Sequence, residues 1–391
     1  MKSRGLFLAA SLAALAALAC PASADPLAAA YQGVLANPTD AEVNLQYALV
    51  AEGQKKWRLA LAAYERILAN DPGNAAAKAG LQRVRRIIQP AETQTTVEIG
   101  TQYNSNAFLE PSGQYSQYMD PGNPQSDWTF YARGRVRDER NWFGQRWRTT
   151  MTAYADTHAN FNDLDYMVAM FDIGPILDLN GTMMAARPFV GGAVAGLGGD
   201  YFYSEVNLGA SVEGYLDGAY QWARVRAGYR SYGDVGVSTD GWYAEVAGHW
   251  AHKDIFSDRD VFWVEPWFRW NGINGNGWAP TQYWWELQQV TPGRYTGWGS
   301  RFEYDARVTD WLTLGASFRF ANRAYADAND RDGEPGRNDW LLAPGAAMIF
   351  SNLLSPQTDI RLEYEFQHND SSQAQYSYDN HAVTLSIVAR R

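Results

Sequence analysis

Cysteine is almost absent from this 391-residue sequence; Cys20 is the single one. With 46% hydrophobic residues the chain is too apolar to be disordered, and its length removes any need for a disulfide framework. Charged residues are scarce at 19%, and the formal charge of -10 argues against general nucleic-acid binding. Beyond the N-terminus no run of about 18 apolar residues occurs, which argues against helical membrane spans. Lysine is nearly missing from residues 94–391: of 23 basic residues there, only Lys253 is not arginine, against 36 acids. Residues 25–93 are instead nearly neutral, with 8 basic residues and 7 acids. Two regions of different chemistry follow.

What is abundant is aromatic: 16 Trp, 23 Tyr and 16 Phe. The chain begins with Lys2 and Arg4, an apolar stretch from Leu6 to Ala19, and the small-x-small run Ala22-Ser23-Ala24. That pattern predicts a signal peptide over 1–24, with Asp25 as the mature N-terminus. Cys20 opens lipoprotein cleavage as the other route, although Ala17 stands where a lipobox prefers Leu. By either route the chain leaves the cytoplasm.

Residues 25–92 read as helical and contain a repeat. Ala29-Ala30-Tyr31-Gln32-Gly33-Val34-Leu35-Ala36-Asn37 returns as Ala62-Ala63-Tyr64-Glu65-Arg66-Ile67-Leu68-Ala69-Asn70, and Pro38 returns as Pro72. A period near 34 residues with two helices per unit resembles the tetratricopeptide repeat. Ala60, Tyr64 and Pro72 match its spacing, whereas Asn44, Tyr47, Ala48 and Ala51 depart from its first helix. The resemblance covers about one repeat with flanking halves. It implies either a docking surface for substrate or a partner protein, with Tyr47 and Trp57 as candidates, or a small structural cap.

From residue 93 the period changes to two. In 301–308, Arg301, Glu303, Asp305 and Arg307 alternate with Phe302, Tyr304, Ala306 and Val308. In 360–367, Arg361, Glu363 and Glu365 alternate with Ile360, Leu362, Tyr364 and Phe366. In 128–137, Arg133, Arg135 and Arg137 oppose Phe130, Ala132, Gly134 and Val136. A water-soluble sandwich would bury the apolar face; a membrane barrel would turn it to lipid. Trp128, Trp147, Trp242, Trp263, Trp270, Trp298, Trp311 and Trp340 near strand ends suit an interfacial girdle. The expected fold is therefore α+β multidomain: a short all-α tetratricopeptide segment followed by a transmembrane antiparallel β-barrel of about 14 strands over 93–391. Strands are expected around residues 98, 131, 150, 168, 190, 207, 225, 246, 266, 303, 317, 345, 363 and 384, with long outer loops at 106–125, 231–239, 271–296, 326–338 and 368–377. Counting Tyr283-Trp284-Trp285-Glu286-Leu287 as a strand would raise the total to sixteen. The alternation runs on to Arg391 without the terminal aromatic residue that barrel-assembly machinery reads.

Signal, short repeat segment and barrel together resemble the surface lipoprotein assembly modulators. Gly174-Pro175, Arg187-Pro188-Phe189 and the stretch from Tyr201 to Gly214 are similar to the central barrel text of that family. The layout also resembles exopolysaccharide exporters of the cellulose, poly-N-acetylglucosamine and alginate systems, which carry more repeats and wider barrels. Both resemblances imply a protein that moves a macromolecule, a surface protein or a polysaccharide, from periplasm to cell surface.

The residues themselves point to a lumen lined by Arg133, Arg135, Arg137, Arg146, Arg148, Arg224, Arg226, Arg269, Arg301, Arg307, Arg319 and Arg361. Guanidinium groups bind carboxylate and phosphate, so an anion-preferring diffusion porin is the alternative to export. The same arginines could instead pair with Glu98, Glu205, Glu213, Glu245, Glu265, Glu303 and Glu363 as a structural ladder. Asp327 to Glu334 approximates a calcium loop, but Arg331 replaces a ligand. His158, His249, His252, His368 and His381 lack metal-ligand spacing, and the pairs Asp156/His158 and His368/Asp370 lack a nucleophile. Neither an enzyme nor a cofactor is expected. The expected surroundings are outer-membrane lipid, a periplasmic partner protein and the exported cargo.

Overall fold

The computed structural model describes residues 25–88, 91–107, 109, 125–142, 144–179, 182–233, 240–272, 294–326 and 336–391. The expected signal peptide, the candidate strand at 283–287 and the calcium-like loop lie outside the described residues. The chain divides into two compact units that meet in sequence at residues 89 and 90.

The first unit holds four helices: α1 (Pro26–Ala36), α2 (Ala41–Gly53), α3 (Trp57–Asn70) and α4 (Ala75–Ile88). Their starts are written in the sequence. Asp25 accepts the Leu27 N–H at 3.0 Å ahead of Pro26, and Asp40 accepts the N–H groups of Glu42 and Val43 at 2.8 and 3.2 Å. Asn74 accepts the Ala77 N–H in the same way for α4. Pro38 and Pro72 stand just beyond α1 and α3, where a helix cannot continue. The repeated text falls on α1 and α3. Buried Ala48, Ala51, Ala60, Ala63 and Ala77 let successive helices approach closely around Tyr64, Ile67 and Val84. The Tyr64 hydroxyl donates to Glu52, whose carboxylate also accepts Arg83 at 2.7 and 2.8 Å. Burial and this carboxylate push the Tyr64 phenol above its ordinary range. Tyr47, expected on a docking surface, packs in this core instead, and Trp57 lies partly buried against it.

The second unit is a closed antiparallel barrel of fourteen strands: β1 (Ala91–Asn104), β2 (Asp127–Trp142), β3 (Gln145–His158), β4 (Tyr166–Pro175), β5 (Met184–Leu197), β6 (Asp200–Leu216), β7 (Ala219–Tyr232), β8 (Gly241–Lys253), β9 (Asp260–Asn271), β10 (Tyr295–Arg307), β11 (Leu312–Tyr325), β12 (Asn338–Ser351), β13 (Thr358–Ser371) and β14 (Tyr378–Arg390). Each expected strand centre falls inside one of them. β1 begins at Ala91, within the segment expected to be helical. A two-residue strand, Leu177–Asp178, pairs beside β5. Every strand pairs with the next, and β1 pairs with β14 to close the ring. The seam reaches the last residue: Thr95 and Arg391 exchange main-chain hydrogen bonds of 2.7 and 2.8 Å.

Two connections are two-residue hairpins with positive φ at both positions, Gly198-Gly199 (59° and 90°) and Asp217-Gly218 (50° and 81°). That conformation matches the twist of the flanking strands. Connections longer than ten residues, namely 105–126, 272–294 and 326–337, all lie at the end where β1 finishes. The opposite end, where β1 starts and β14 finishes, is joined by shorter links such as 143–144, 217–218 and 308–311.

The alternation is resolved with its apolar side outward. Val97, Phe130, Met151, Met167, Val190, Val206, Leu208, Val225, Val246, Phe268, Phe318, Leu342, Leu362 and Leu385 are exposed on the outer face. Charged side chains appear on that face only near strand ends, as with Asp138, Arg140, Asp370 and Asp379. Trp128, Trp242, Trp270, Trp298, Trp311 and Trp340 are exposed outward as expected. Trp263 is not in this girdle. It shares the inward parity of Glu265, Trp267 and Arg269 on β9, because two-residue periodicity assigns it there whatever its chemistry.

Candidate functional site

The candidate site is the lumen. Its walls are built from the inward half of each alternation, and charge dominates them. On β6–β9, cross-strand neighbours form one tight knot. Glu245 on β8 lies between Arg226 on β7 and Arg269 on β9, at 3.3 and 3.6 Å. Glu205 on β6 takes Arg230 at 2.6 Å and the Tyr243 hydroxyl. The Tyr243 ring meets the guanidinium groups of Arg269, Arg226 and Arg230 at 4.6, 5.2 and 5.2 Å. Such contacts favour a cation further when water is excluded. Glu245 and Arg230 are 3% and 2% exposed.

A second knot ties β2 and β3 to β6. Glu139 accepts Arg137 and Arg148 at 2.8 Å and stands 3.5 Å from Arg146. Arg148 continues to Glu213 on β6, past β4 and β5. Arg187 bonds Asp172 at 2.5 Å, and Phe189 lies beside both Arg187 and Arg224, 4.9 and 5.3 Å from its ring centre. A small recess of about 30 Å³ opens here between Thr150, Asp172, Phe189, Asn207, Arg224 and Arg226. On the remaining wall Arg319 pairs with Glu365 at 2.5 Å, Arg301 with Glu303 at 2.8 Å and Arg361 with Glu363 at 3.7 Å.

Several inward aromatic rings lie flat on the wall over glycines. A methyl group at Gly209 would sit 2.5 Å from the Phe189 ring, at Gly228 2.7 Å from Tyr243, at Gly100 2.7 Å from Tyr131, and at Gly299 2.9 Å from Trp267. Removing the side chain from one strand thus makes a seat for a ring on its neighbour, and the ring does not project into the lumen.

All twelve predicted lumen arginines lie on inward strand positions. Arg307 stands at the very end of β10, where it donates to the carbonyls of Thr309 and Asp310 in the turn. The expected acids Glu205, Glu213, Glu245, Glu303 and Glu363 hold arginines. Glu98 accepts Tyr131 at 2.8 Å, and Glu265 faces His249 at 2.9 Å. His249 lies parallel to Trp222 at 5.9 Å and 5.7 Å from Trp263. His252 faces the other way, against Trp250. His368 bonds Asp379 rather than Asp370, and Asp156 accepts Tyr154 and the Tyr166 N–H. Among the described residues no group of three potential metal ligands is brought together.

Residues outside the sequence-based set join the lumen: Arg187, Arg230, Arg323 and Arg337, the acids Glu139, Asp172, Asp339 and Glu365, and the aromatics Phe189, Tyr243 and Trp267. The parity that marks Arg224 and Arg226 extends to Arg230, and that of Arg319 to Arg323, so a signal was present for both.

Neither a protein-family model nor a curated protein sequence matches the chain. Solved structures do. The outer membrane channel DcaP of Acinetobacter baumannii is 12% identical with a TM-score of 0.45, over 78% of this chain and 98% of that one. OccK9 (OpdG) of Pseudomonas aeruginosa is 10% identical with a TM-score of 0.39, over 78% and 100%. OccAB4 of A. baumannii is 7% identical with a TM-score of 0.39, over 78% and 99%. At these values the likeness does not extend to a role, which has to come from this chain's own walls.

Proposed function

We propose that the chain is an outer-membrane diffusion channel for small polar solutes, with a weak preference for anions. One observation carries this reading: a closed fourteen-strand ring with its charges inside and its apolar side chains exposed outside. That polarity is stable only with hydrocarbon around the ring and water within it. The short-turn end belongs in the periplasm, which sends both ends of the barrel chain there. The preference for anions is weak because most luminal arginines already hold a carboxylate.

Moving a folded protein or a polysaccharide through this lumen would require breaking the buried knots around Glu205, Glu245 and Glu139. Leaving one partner of such a pair alone costs about 3–5 kcal/mol, so a small-solute channel fits the lumen better than an exporter. The four helices fit a tetratricopeptide-like segment, with the repeated text on alternate helices, and would serve as a periplasmic appendage of the channel.

The test is planar-bilayer recording of the full-length protein across a salt gradient. The expected result is steady conductance with a reversal potential displaced modestly toward the anion. Silence of correctly folded protein would overturn the channel reading.

A further inference from the structure

Not every luminal ring lies flat over a glycine. Tyr215 on β6, Tyr220 and Trp222 on β7, His249 on β8 and Trp263 on β9 sit at inward positions near the short-turn end. Their cross-strand neighbours all carry side chains. Tyr215 faces Tyr220, Trp222 stands between Glu213 and His249, and Trp263 stands between Ala251 and Glu303. With no glycine to seat them, these rings stand off the backbone. Tyr215 is 39% exposed and the other four are partly buried. They meet in series: Tyr215 and Tyr220 at 5.4 Å between centres, Tyr220 and His249 at 6.0 Å, and His249 and Trp263 at 5.7 Å, with Trp222 parallel to His249 at 5.9 Å. The run crosses three strand spacings, about 14 Å at about 4.8 Å each. Ion pairs border it. Glu265 lies 2.9 Å from His249, and Glu303 accepts Arg301 at 2.8 Å while that guanidinium stands 5.2 Å from the Trp263 ring centre. Hydrogen-bond donors and acceptors thus stand at the ring edges. The cation beside Trp263 already holds a carboxylate, and Glu265 adds a second, so an anion gains little from charge here.

We infer that this run of rings is a stacking track for neutral saccharides passing through the lumen. A pyranose carries C–H groups on its faces and hydroxyls round its rim. The faces bury apolar surface against the rings, and the hydroxyls exchange hydrogen bonds with the bordering ion pairs. Small-molecule sites combine affinity with orientation in this way, by apolar walls with a few placed polar groups. Because the run is longer than one sugar unit, a solute can step from ring to ring without leaving the wall. The inference rests on the channel reading and names a substrate class for it.

The experiment is block of the ion current through the full-length protein in a planar bilayer, with cellotriose as the probe. Its glucose units hold their hydroxyls equatorial, which leaves both ring faces to C–H groups. Cellotriose should reduce the current in a saturable way. Trp263→Ala should raise the half-blocking concentration at least about fivefold, since the stacking surface and its buried area are both lost. Trp263→Phe should keep most of the affinity, which separates loss of the ring from loss of the fold. A conducting channel that cellotriose does not block, or blocks equally well after Trp263→Ala, would overturn the track while leaving the channel reading intact. Block by 4-hydroxybenzoate without block by cellotriose would overturn it too, and would assign the rings to aromatic acids. Absence of current through correctly folded protein would overturn both.

Discussion

In the helical unit the buried core is mostly apolar and most charged side chains face water. In the barrel the same residue types are turned inside out. Leu35 on α1 and Leu208 on β6 are almost equally exposed, 57% and 63%, yet only Leu208 belongs to a continuous apolar surface that wraps a closed ring. Conversely, Tyr64 and Tyr243 are both buried tyrosines whose hydroxyls donate to a glutamate flanked by arginine. Around Tyr64 the rest of the core is alanine, isoleucine, valine and Tyr47; around Tyr243 it is guanidinium. What burial means therefore depends on what surrounds the unit. Water makes the apolar interior of the helices favourable, and hydrocarbon makes the charged interior of the barrel tolerable.

The largest test of this contrast removes a charge from the barrel interior. Glu245→Gln leaves Arg226 and Arg269 without their shared carboxylate. Unfolding in urea, followed by tryptophan fluorescence in lipid vesicles, should show a loss of about 3–5 kcal/mol; an unchanged midpoint would mean the knot is not structural. Next comes a matched pair. Leu208→Arg should cost about 2–4 kcal/mol in a bilayer, the expected price of a cation on a lipid-facing wall. Leu35→Arg should stay within about 0.5 kcal/mol, as surface substitutions usually do. Equal effects would remove the lipid-facing assignment. The smallest is a pH effect confined to the helices. Because the Tyr64 phenol ionises less readily in the folded state, its neutral form stabilises the unit up to about pH 10. That contribution is lost as pH climbs from there toward the raised folded value. Helical circular dichroism of the full-length protein should fall over that range, and Tyr64→Phe should flatten this part of the fall at a cost of about 1.5–3 kcal/mol at neutral pH.

Much of the architecture can be read locally, because a period of two or of 3.6 is a property of neighbouring residues. Arg133, Arg135 and Arg137 declare a shared face by spacing alone, and the six girdle tryptophans do so by lying near strand ends. Trp263 shows the limit: its position near a strand end resembles theirs, but its parity on β9 places it beside His249. Tyr47 shows the same limit in the helices, where a departure from repeat consensus leaves open whether a ring points into the core or out. Which arginines are held and which are open to solute is not local at all. Arg148 is held by Glu213, three strands further on, a pairing that no spacing along the chain announces. Arg135 looks identical in sequence to its neighbours, yet among the described residues no carboxylate pairs with it.

By itself, then, the sequence determined the two-unit division, the helix starts at Asp25 and Asp40, the strand periods and the inward parity of the charges, all of which depend on residues a few positions apart. Only the tertiary structure decided that the strands close at fourteen, that Arg391 pairs with Thr95, and which luminal arginines hold a carboxylate. Those outcomes depend on pairings between residues far apart in the chain. Cross-strand geometry sets such pairings, and no local pattern encodes it.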